Sequence, residues 1–261
     1  MPELVEVERY RVLAEGALDR TISTVHSPDP WFLKGAATAS ILEGVLVGRT
    51  FTSARRIGKL LLLDVDDGPV VGVRFGMTGT LLVDGGDAVG RLLYSSTRRD
   101  PAWDRWAVGF TDGGRLVVHD PRRLGGVTLD PELTGLGPDA ASVSPAELRT
   151  VLVGSSAPLK ARLLDQSRVA GIGNLLADEM LWRAGLSPVR SAGSLSPAEV
   201  RRLHRHLVRT LSDLTERGGS HLGDLMPERH TGGVCPKDGA PLARTTVGGR
   251  TSWWCPTHQV G

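Results

Sequence analysis

Apolar residues in the first half of the chain come in short runs that are separated by turn-forming residues. From residue 21 to 128 these runs are rich in Val, Leu and Phe, and clusters of glycine and aspartate lie between them. Such runs predict β-strands, and their succession is typical of an antiparallel β-sandwich. The clearest candidate strands are residues 60–65, 70–75, 80–84, 106–111 and 115–120.

Helical spacing of apolar residues precedes and follows this region. Residues 2–18 have four apolar positions at roughly helical intervals: Leu4, Val7, Val12 and Leu13. Four further helices are predicted in the second half, at 144–152, 158–166, 174–186 and 196–219. Residues 230–261 resemble a small loop-and-hairpin module. The pattern predicts an α+β fold: an N-terminal antiparallel β-sandwich with an N-terminal helix, then a helical domain and a hairpin.

A change in composition marks the boundary between the two halves. Residues 131–145 are rich in Pro, Gly, Ser and Asp, which is typical of a linker. The 261 residues, 40% of them hydrophobic, suffice for two packed cores. We therefore predict a β-sandwich domain at 1–130, a linker at 131–145, a helical domain at 146–222 and a hairpin module at 223–261.

The charge balance is compatible with nucleic-acid binding but does not identify it. The net charge is +2, and all but four of the 31 basic residues are arginine, which binds phosphate bidentately. No run approaches the ~20 apolar residues of a membrane span, and the acidic start lacks the apolar core of a signal peptide. A cytoplasmic protein without membrane contact is expected, and its two cysteines suggest metal ligands more than a disulfide.

The chain opens with MPELVEVE, in which proline directly follows methionine. Removal of Met1 would leave Pro2 with a free secondary amine, and α-amino groups titrate at about pH 7.7–8.0. Part of that amine is neutral at physiological pH and can attack an aldehyde-like carbon, while Glu3 can supply or take a proton. Proline and acidic residues are also ordinary at a helix start. These eight residues alone leave both interpretations open.

Four other short motifs have both a structural and a functional interpretation. RRIGKLLLL (55–63) places Lys59 before an apolar strand, where burial would lower the pKa of its amine. FGMTG (75–79) and DPRRLG (120–125) are turns whose Met, Arg and Leu side chains suit a wedge between stacked DNA bases. VAGIGN (169–174) is a glycine turn before a helix whose N-terminus can bind an anion. Taken singly, an ordinary turn or strand start explains each of them.

Two cysteine-containing motifs near the end have the spacing of zinc ligands. CPKD (235–238) pairs Cys235 with Asp238, and CPTH (255–258) pairs Cys255 with His258. Only two of these four residues are cysteine, and His230 is a further candidate ligand. A structural zinc site and a metal-free hairpin of the same shape both remain open.

Six segments together resemble one family of DNA-repair enzymes. They are MPELVEVE, RRIGKLLLL, RFGMTG, DPRRLG, LLDQSRVAGIGNLLADEMLWRAGLSP and GRTSWWCPTHQ, in this order across essentially the whole chain. They resemble motifs of the formamidopyrimidine-DNA glycosylase / endonuclease VIII (Fpg/Nei) family. The resemblance implies that residues 1–130 are a catalytic domain. It also implies a helix–two-turn–helix DNA-binding motif within 146–222 and a zinc-finger-like hairpin.

The resemblance further implies a bifunctional DNA glycosylase / AP lyase that excises oxidised or ring-opened bases in base excision repair. Its partner would be double-stranded DNA with a damaged base or an abasic site, bound by a monomer without a catalytic cofactor. Pro2 would be the nucleophile that attacks C1′ of the damaged nucleotide, Glu3 the acid and Glu6 a supporting residue. Lys59 and Arg250 would assist the eliminations that cleave the strand.

The DNA contacts that the resemblance implies fall in both halves of the chain. Met77, Arg122 and Leu124 would fill the gap left by the flipped base. Asn174 and Arg250 would hold phosphates that flank the lesion, and Lys160 is expected to contact DNA as well.

The sequence departs from the family pattern at four places. Val5 replaces a proline, and Leu124 stands where the Fpg branch usually has phenylalanine. Asp238 and His258 replace two zinc cysteines, so we expect a hairpin that persists without zinc and binds metal weakly or not at all. The short segment 221–235 lacks most of the loop with which Fpg relatives cap an extruded 8-oxoguanine. This favours ring-opened purines or oxidised pyrimidines as substrates.

Two other functions share part of the pattern. A non-catalytic DNA-binding relative, specific for damage or for DNA structure, would not need Pro2, Glu3 and Lys59 together. An amino-terminal-proline tautomerase would share Pro2, but it would not explain the helix–two-turn–helix region or the paired cysteine motifs. The sequence leaves open which lesion is preferred and whether elimination stops at the β step or continues to δ.

Overall fold

A computed structural model describes residues 1–90, 92, 96 and 98–260. Residues 91, 93–95 and 97 of the region predicted as strands, and residue 261 of the hairpin module, lie outside the described residues. The chain divides into two compact units, Met1–Leu133 and Thr134–Gly261. Among the described residues, no helix combines the length and the apolar character needed to cross a membrane.

The first unit is a sandwich of two antiparallel sheets, as predicted. Its strands are β1 (Ile22–His26), β2 (Phe51–Ile57), β3 (Leu60–Val65), β4 (Val70–Arg74), β5 (Thr80–Val83), β6 (Gly86–Asp87), β7 (Asp104–Phe110), β8 (Arg115–His119) and β9 (Gly126–Leu129). One sheet has the order β1-β7-β8-β5-β6, and the other has the order β2-β3-β4-β9. Both sheets contribute to one core, with Leu61 and Val73 from one and Trp106 and Val118 from the other.

Strand β3 explains the leucine run of the RRIGKLLLL motif. Successive side chains of a strand point to opposite faces. Leu61 and Leu63 therefore lie in the core between the sheets, and Leu60 and Leu62 are buried on the other face. A strand that is covered on both faces needs apolar residues at every position, which is why the pattern here does not alternate.

Helix α1 (Leu4–Ala14) packs against strands β2, β3 and β5. Val5 and Tyr10 are fully buried, whereas Val12 is 51% exposed and is not part of the apolar face predicted for this helix. The Tyr10 hydroxyl donates a hydrogen bond to the carbonyl of Gly79 at 3.4 Å. This contact joins the start of the chain to the end of the FGMTG turn.

Residues 39–46 form helix α2 (Ala39–Leu46), which corrects the interpretation of the whole region 21–128 as strands. Thr38 caps this helix, because its Oγ1 accepts a hydrogen bond from the Ile41 N–H at 3.2 Å. Leu42 and Leu46 lie one turn apart and are both buried. The cap and this spacing were the sequence signals that an interpretation as strands overlooked. The predicted strands also do not include β1, β2, β6 and β9.

The second unit has four helices followed by a hairpin. The elements are α3 (Pro145–Leu152), α4 (Leu159–Leu164), α5 (Asn174–Ala184), α6 (Pro197–Arg217), β10 (Ala243–Val247) and β11 (Arg250–Trp254). Each helix lies within a segment predicted as helical. Ser144 and Ser196 form capping boxes with Glu147 and Glu199. Gly185 ends α5 in the left-handed conformation, with a φ of 64°.

Part of the stretch predicted as a linker is packed into this second unit. Ala140 and Val143 are buried, and the N–H of Ala140 donates a hydrogen bond to the carbonyl of Ala170 at 2.9 Å. Residues 134–145 are therefore part of the helical unit, in which α6 packs against α3 and α5.

Candidate active site

Pro2 and Glu3 lie at the buried start of the first unit, immediately before α1. Glu3 is fully buried at the N-cap position, and its N–H donates a hydrogen bond to Oε2 of Glu6 at 2.8 Å. Glu6 is also buried, with 1% exposure. The helix start and the buried carboxylates are thus one feature, because the capping contact holds both acids beside the chain terminus.

The α-amino group of Met1 shares this environment. Burial lowers the pKa of this amine, the charges of Glu3 and Glu6 oppose the shift, and the charge of Lys59 adds to it. Burial is the largest effect. An amine held here stays neutral to lower pH than an exposed one. Only the neutral form has the lone pair that attacks carbon.

Lys59 lies half-buried in the turn between β2 and β3. Arg56 ties this turn to α1: its Nε donates to Oε2 of Glu8 at 2.9 Å, and its Nη1 donates to the carbonyl of Gly58 at 3.0 Å. The electrostatic effect of Lys59 on the Met1 amine shows that both lie at the same end of the unit. The fold therefore places Lys59 and the two acids close to the chain start that contains Pro2.

The FGMTG and DPRRLG turns are joined through Asp120, a fully buried residue that the sequence patterns did not single out. Oγ1 of Thr78 donates to Oδ1 of Asp120 at 2.7 Å, and the N–H groups of Leu124 and Gly125 each donate to Oδ2 at 2.9 Å. A Cβ at Gly76, whose φ is 58°, would lie 2.4 Å from the carbonyl carbon of Leu124. The two turns thus pack backbone against backbone. The leading aspartate of DPRRLG is the one sequence signal for this role.

The side chains predicted to insert between bases differ in their exposure to solvent. Arg122 is exposed, Leu124 is 51% exposed and Met77 is half-buried. Arg123 has a φ of 57°, and its Nε and Nη2 each donate to an oxygen of Asp29 at 2.7 Å. Arg122 and Leu124 therefore flank a residue that is fixed to the unit, and an exposed leucine on an anchored turn suits insertion between bases.

Asn174 is the first residue of α5, and Gly173, rather than Asn174, occupies the N-cap position. Gln166 shapes the preceding VAGIGN turn: its Nε2 donates to the carbonyl of Ile172 at 2.9 Å, and its Oε1 accepts from the N–H of Gly171 at 3.0 Å. Oδ1 of Asn174 is buried and has no hydrogen-bond partner among the described residues. The helix N-terminus favours a negative charge at this point.

Lys160 is fully buried, which is inconsistent with the direct DNA contact expected from the sequence. Its Nζ lies 2.6 Å from Oδ1 of Asp178 and 2.6 Å from Oγ of Ser252. Nη2 of Arg229 lies 2.7 Å from the other oxygen of Asp178. A lysine enclosed in such a cluster has no face left for a phosphate. It instead ties together α4, α5 and β11.

Arg250 is exposed and opens β11 directly after a two-glycine turn. Gly248 and Gly249 have φ values of 58° and 70°, the conformation that a tight hairpin turn requires. Nζ of Lys160 also donates to the carbonyl of Thr251, next to Arg250, at 3.2 Å. The buried lysine therefore positions the strand that carries the exposed arginine.

Cys235, Asp238, Cys255 and His258 converge so that one ligand atom from each lies within 4.8 Å of the others. Sγ of Cys235 is 3.3 Å from Nδ1 of His258, and Sγ of Cys255 is 3.3 Å from Oδ2 of Asp238. Nδ1 of His258 is 3.7 Å from the same oxygen of Asp238. A tetrahedral zinc ion with bonds of ~2.0–2.3 Å needs ligand separations of about 3.3–3.8 Å. His230 is not part of this cluster.

The surroundings of the cluster also suit a cation. Nε2 of His258 lies 2.9 Å from the carbonyl of Trp182, which places the imidazole proton on Nε2 and directs the Nδ1 lone pair at the cluster. The indole N–H of Trp182 donates to Sγ of Cys235 at 3.3 Å. Burial raises the pKa of the Cys255 thiol, which opposes formation of its thiolate, whereas a bound cation would favour the thiolate. The donor set fits a zinc ion.

Both units match known protein families. Residues 1–127 match the family model of the formamidopyrimidine-DNA glycosylase N-terminal domain, and residues 134–224 match that of the formamidopyrimidine-DNA glycosylase H2TH domain. A formamidopyrimidine-DNA glycosylase of Thermus thermophilus is 36% identical over 287 residues, which cover 99% of this chain and 98% of the relative. The Dinoroseobacter shibae enzyme is 33% identical over 288 residues, which cover 99% of this chain and all of the relative (100%).

Solved structures of the same kind have the same fold. A complex of the LlFpg protein with THF-DNA and an inhibitor has a TM-score of 0.84 at 26% identity and covers 100% of both chains. Lactococcus lactis Fpg bound to DNA containing N7-benzyl-Fapy-dG has a TM-score of 0.82 at 25% identity and covers 99% of each chain. The fold and these relatives define a DNA glycosylase of base excision repair. The chain belongs to the formamidopyrimidine-DNA glycosylase family.

We expect Asp120→Ala to loosen the FGMTG (75–79) and DPRRLG (120–125) turns, which are called the wedge turns below. The substitution removes the acceptor of the hydrogen bonds from Thr78, Leu124 and Gly125. Each unsatisfied donor costs about 1–3 kcal/mol, so the free energy of unfolding should fall by about 3 kcal/mol or more. Amide hydrogen exchange at Leu124 and Gly125 should accelerate. Asp100→Ala, which removes a partly exposed cap of a short turn, is the matched control. Unchanged amide exchange at Leu124 and Gly125 in the Asp120 variant would contradict the proposal that Asp120 holds the two turns together.

Proposed function

We propose that this chain is a bifunctional DNA glycosylase and AP lyase with Pro2 as its nucleophile. The observation that carries the proposal is the buried chain start. Pro2 is buried there next to Glu3 and Glu6, and burial lowers the pKa of the adjoining Met1 amine. After removal of Met1, the Pro2 amine would attack C1′ of the damaged nucleotide. The base would leave from C1′ with a proton, which gives an aminal. The C1′–O4′ bond would then break with protonation of O4′, so that the sugar ring opens and a C1′ iminium remains.

The same set of residues supports the lyase step. An iminium at C1′ acidifies C2′, so loss of a C2′ proton breaks the C3′–oxygen bond and cleaves the strand. Glu3, buried beside the amine, would supply the proton that the first step needs. Lys59, in the turn that Arg56 ties to α1, would assist elimination. Arg250 would assist a second elimination, and Glu6 would hold Glu3 through the 2.8 Å hydrogen bond.

The wedge turns would assist extraction of the damaged base from the duplex. Flipping a nucleotide out of the duplex costs a few kcal/mol, and inserted side chains offset part of this cost. Leu124, Met77 and Arg122 would fill the gap, and the Asp120 contacts would keep their turns in place during insertion. Because the turns are already ordered, little conformational entropy is lost on binding.

Phosphate contacts would come from the second unit. Asn174 at the start of α5 and Arg250 at the hairpin tip would hold phosphates that flank the lesion. Lys160 would act indirectly, by positioning β11.

We also propose that Cys235, Asp238, Cys255 and His258 hold a structural zinc ion. Its affinity should be lower than that of a four-cysteine site, because a carboxylate and a neutral imidazole replace two thiolates. The ion would stabilise the base of the hairpin and would take no part in the reaction. The cluster around Lys160 holds β11 separately, so the hairpin should keep its fold when zinc is removed.

The segment after α6 bears on the choice of lesion. Residues 221–235 contain a short 3₁₀ turn, Met226–Glu228, and the N–H groups of Asp224 and Leu225 each donate to the buried Glu179 at 3.0 Å. We propose that a segment this short and this firmly held supplies no cap over an extruded 8-oxoguanine. Among the structural relatives, Lactococcus lactis Fpg has been crystallised with DNA containing an oxidized pyrimidine.

Borohydride reduction tests the nucleophile. The wild-type protein should be trapped covalently on abasic-site DNA, and Pro2→Gly should be trapped far less. Trapping should decline as pH falls, because the amine becomes protonated below its pKa and loses its lone pair. Glu3→Gln should lose base excision but keep some lyase action on abasic DNA. Val12→Ala, on the exposed face of α1, is the control.

Two results would reject this assignment. Equal trapping of Pro2→Gly and the wild type would place the nucleophile elsewhere. Binding of abasic-site DNA by the wild type without any trapping would instead identify a non-catalytic damage-binding protein.

Single-turnover excision from matched duplexes tests the lesion preference. Formamidopyrimidine or oxidised pyrimidine lesions should be excised faster than 8-oxoguanine opposite cytosine. The loss of a hydrogen bond to a buried base edge costs about 1–3 kcal/mol, which corresponds to roughly ten- to hundredfold in rate. Strand cleavage of an abasic-site duplex serves as the control for active protein. Faster excision of 8-oxoguanine would reject the proposal.

Metal analysis tests the zinc site. Protein purified without added zinc should contain the ion, and His258→Ala should lose it, whereas His230→Ala, outside the cluster, should keep it. After chelation, amide exchange in β11 should stay slow in the wild type, because the Lys160 cluster remains. Retention of zinc by His258→Ala would refute the ligand assignment. Unfolding of β11 on chelation would refute its independent support.

A further inference from the structure

Helix α6 has an exposed row of arginines that the proposed DNA contacts do not include. Arg201, Arg205 and Arg209 follow one another at intervals of four residues, and all three are exposed. Four residues advance an α-helix by about 6 Å, so the row extends over ~12 Å of one helix face. The opposite face, with Leu203 and Leu207, is buried.

This arginine row lacks acidic partners of the kind that Arg190 and Arg217 of the second unit have. Arg190 lies 2.5 Å from Glu199, and Arg217 lies 2.7 Å from Asp224. In the described part of the chain, no carboxylate lies within ion-pair distance of the row. An arginine-rich composition explains the presence of arginines. It does not explain why three exposed arginines follow one another on one face of a helix without an ion pair.

A neighbouring histidine reports the positive character of this surface. Burial lowers the pKa of His206, and the charges of Lys237, Arg209 and Arg205 lower it further. Like charges one turn apart also repel each other and weaken a helix. A bound polyanion would remove this repulsion.

We propose that the arginine row is a second, sequence-independent contact for the phosphate backbone of duplex DNA. Arginine binds phosphate oxygens bidentately. Successive phosphates of one strand advance about 3.4 Å along the duplex axis, so a ~12 Å row is long enough to contact more than one phosphate. Val208 is the exposed apolar residue beside the row (46%), and without an aromatic anchor the surface suits a polyanion better than a folded protein. The proposal rests on the proposed function only in that the chain binds DNA.

The salt dependence of binding to undamaged duplex DNA tests this contact. The triple variant R201Q/R205Q/R209Q should lower the slope of log K against log salt by about 2–3 and weaken binding at 0.1 M salt by at least about tenfold. The variant R201K/R205K/R209K keeps the charges and should retain most of the slope. Circular dichroism and thermal unfolding verify that each variant is folded.

A charge-matched control separates a local contact from net charge. The scattered variant R98Q/R115Q/R149Q removes three exposed arginines from other surfaces, and its slope should change by less than about one unit. An unchanged slope in the row variant, or an equal loss in the scattered variant, would overturn the proposal. Loss of binding to polyglutamate with an unchanged DNA slope would overturn it in favour of an acidic protein partner.

Excision of a lesion at saturating enzyme is measured in parallel, because it tests the proposed glycosylase activity separately from the arginine row. Absence of excision by the wild type would reject the proposed function. The slope on undamaged DNA would still decide the role of the arginine row.

Discussion

The carboxylate of Asp120 lies in the interior of the first unit and is surrounded by donors from two separate turns. Burial of a charged group costs more free energy than an ordinary packing contact contributes, unless hydrogen bonds or an opposite charge compensate the lost hydration. The same constraint recurs at Lys160 with Asp178, at Glu179 and at Glu6. In the first unit these buried charges fix the FGMTG and DPRRLG turns and the start of α1. In the second unit they fix the hairpin strand and the segment after α6.

The hairpin that carries Arg250 is held at two places by buried polar or charged groups. At one end, Lys160 holds the backbone and the Ser252 hydroxyl of β11 while it pairs with Asp178. At the other end, two cysteines, an aspartate and a histidine converge on one point. Because the two supports use different residues, metal affinity can weaken without loss of the strand position. The position of Arg250 therefore does not depend on the four residues of this cluster alone.

At the chain start, the contacts that stabilise helix α1 also surround the proposed nucleophile. The contact between Glu3 and Glu6 begins α1 and also keeps two acids beside the terminal amine. The burial that makes this helix start part of the core is the largest cause of the lowered amine pKa. A substitution that exposed the start of α1 would therefore affect both the fold and the proposed nucleophile.

The sequence by itself determined the features whose causes are local. The four helices of the second unit could be located because caps and apolar spacing act within a few residues, and motif order identified the family. Helix α2 was missed because its cap lies inside a region of strands. Only the tertiary structure decided that Lys160 is enclosed and that Asp120 joins two turns. Their partners lie 92 and 42 residues away along the chain, at Ser252 and Thr78. Whether a charged side chain meets solvent or a partner depends on what packs against it, and no local pattern records that.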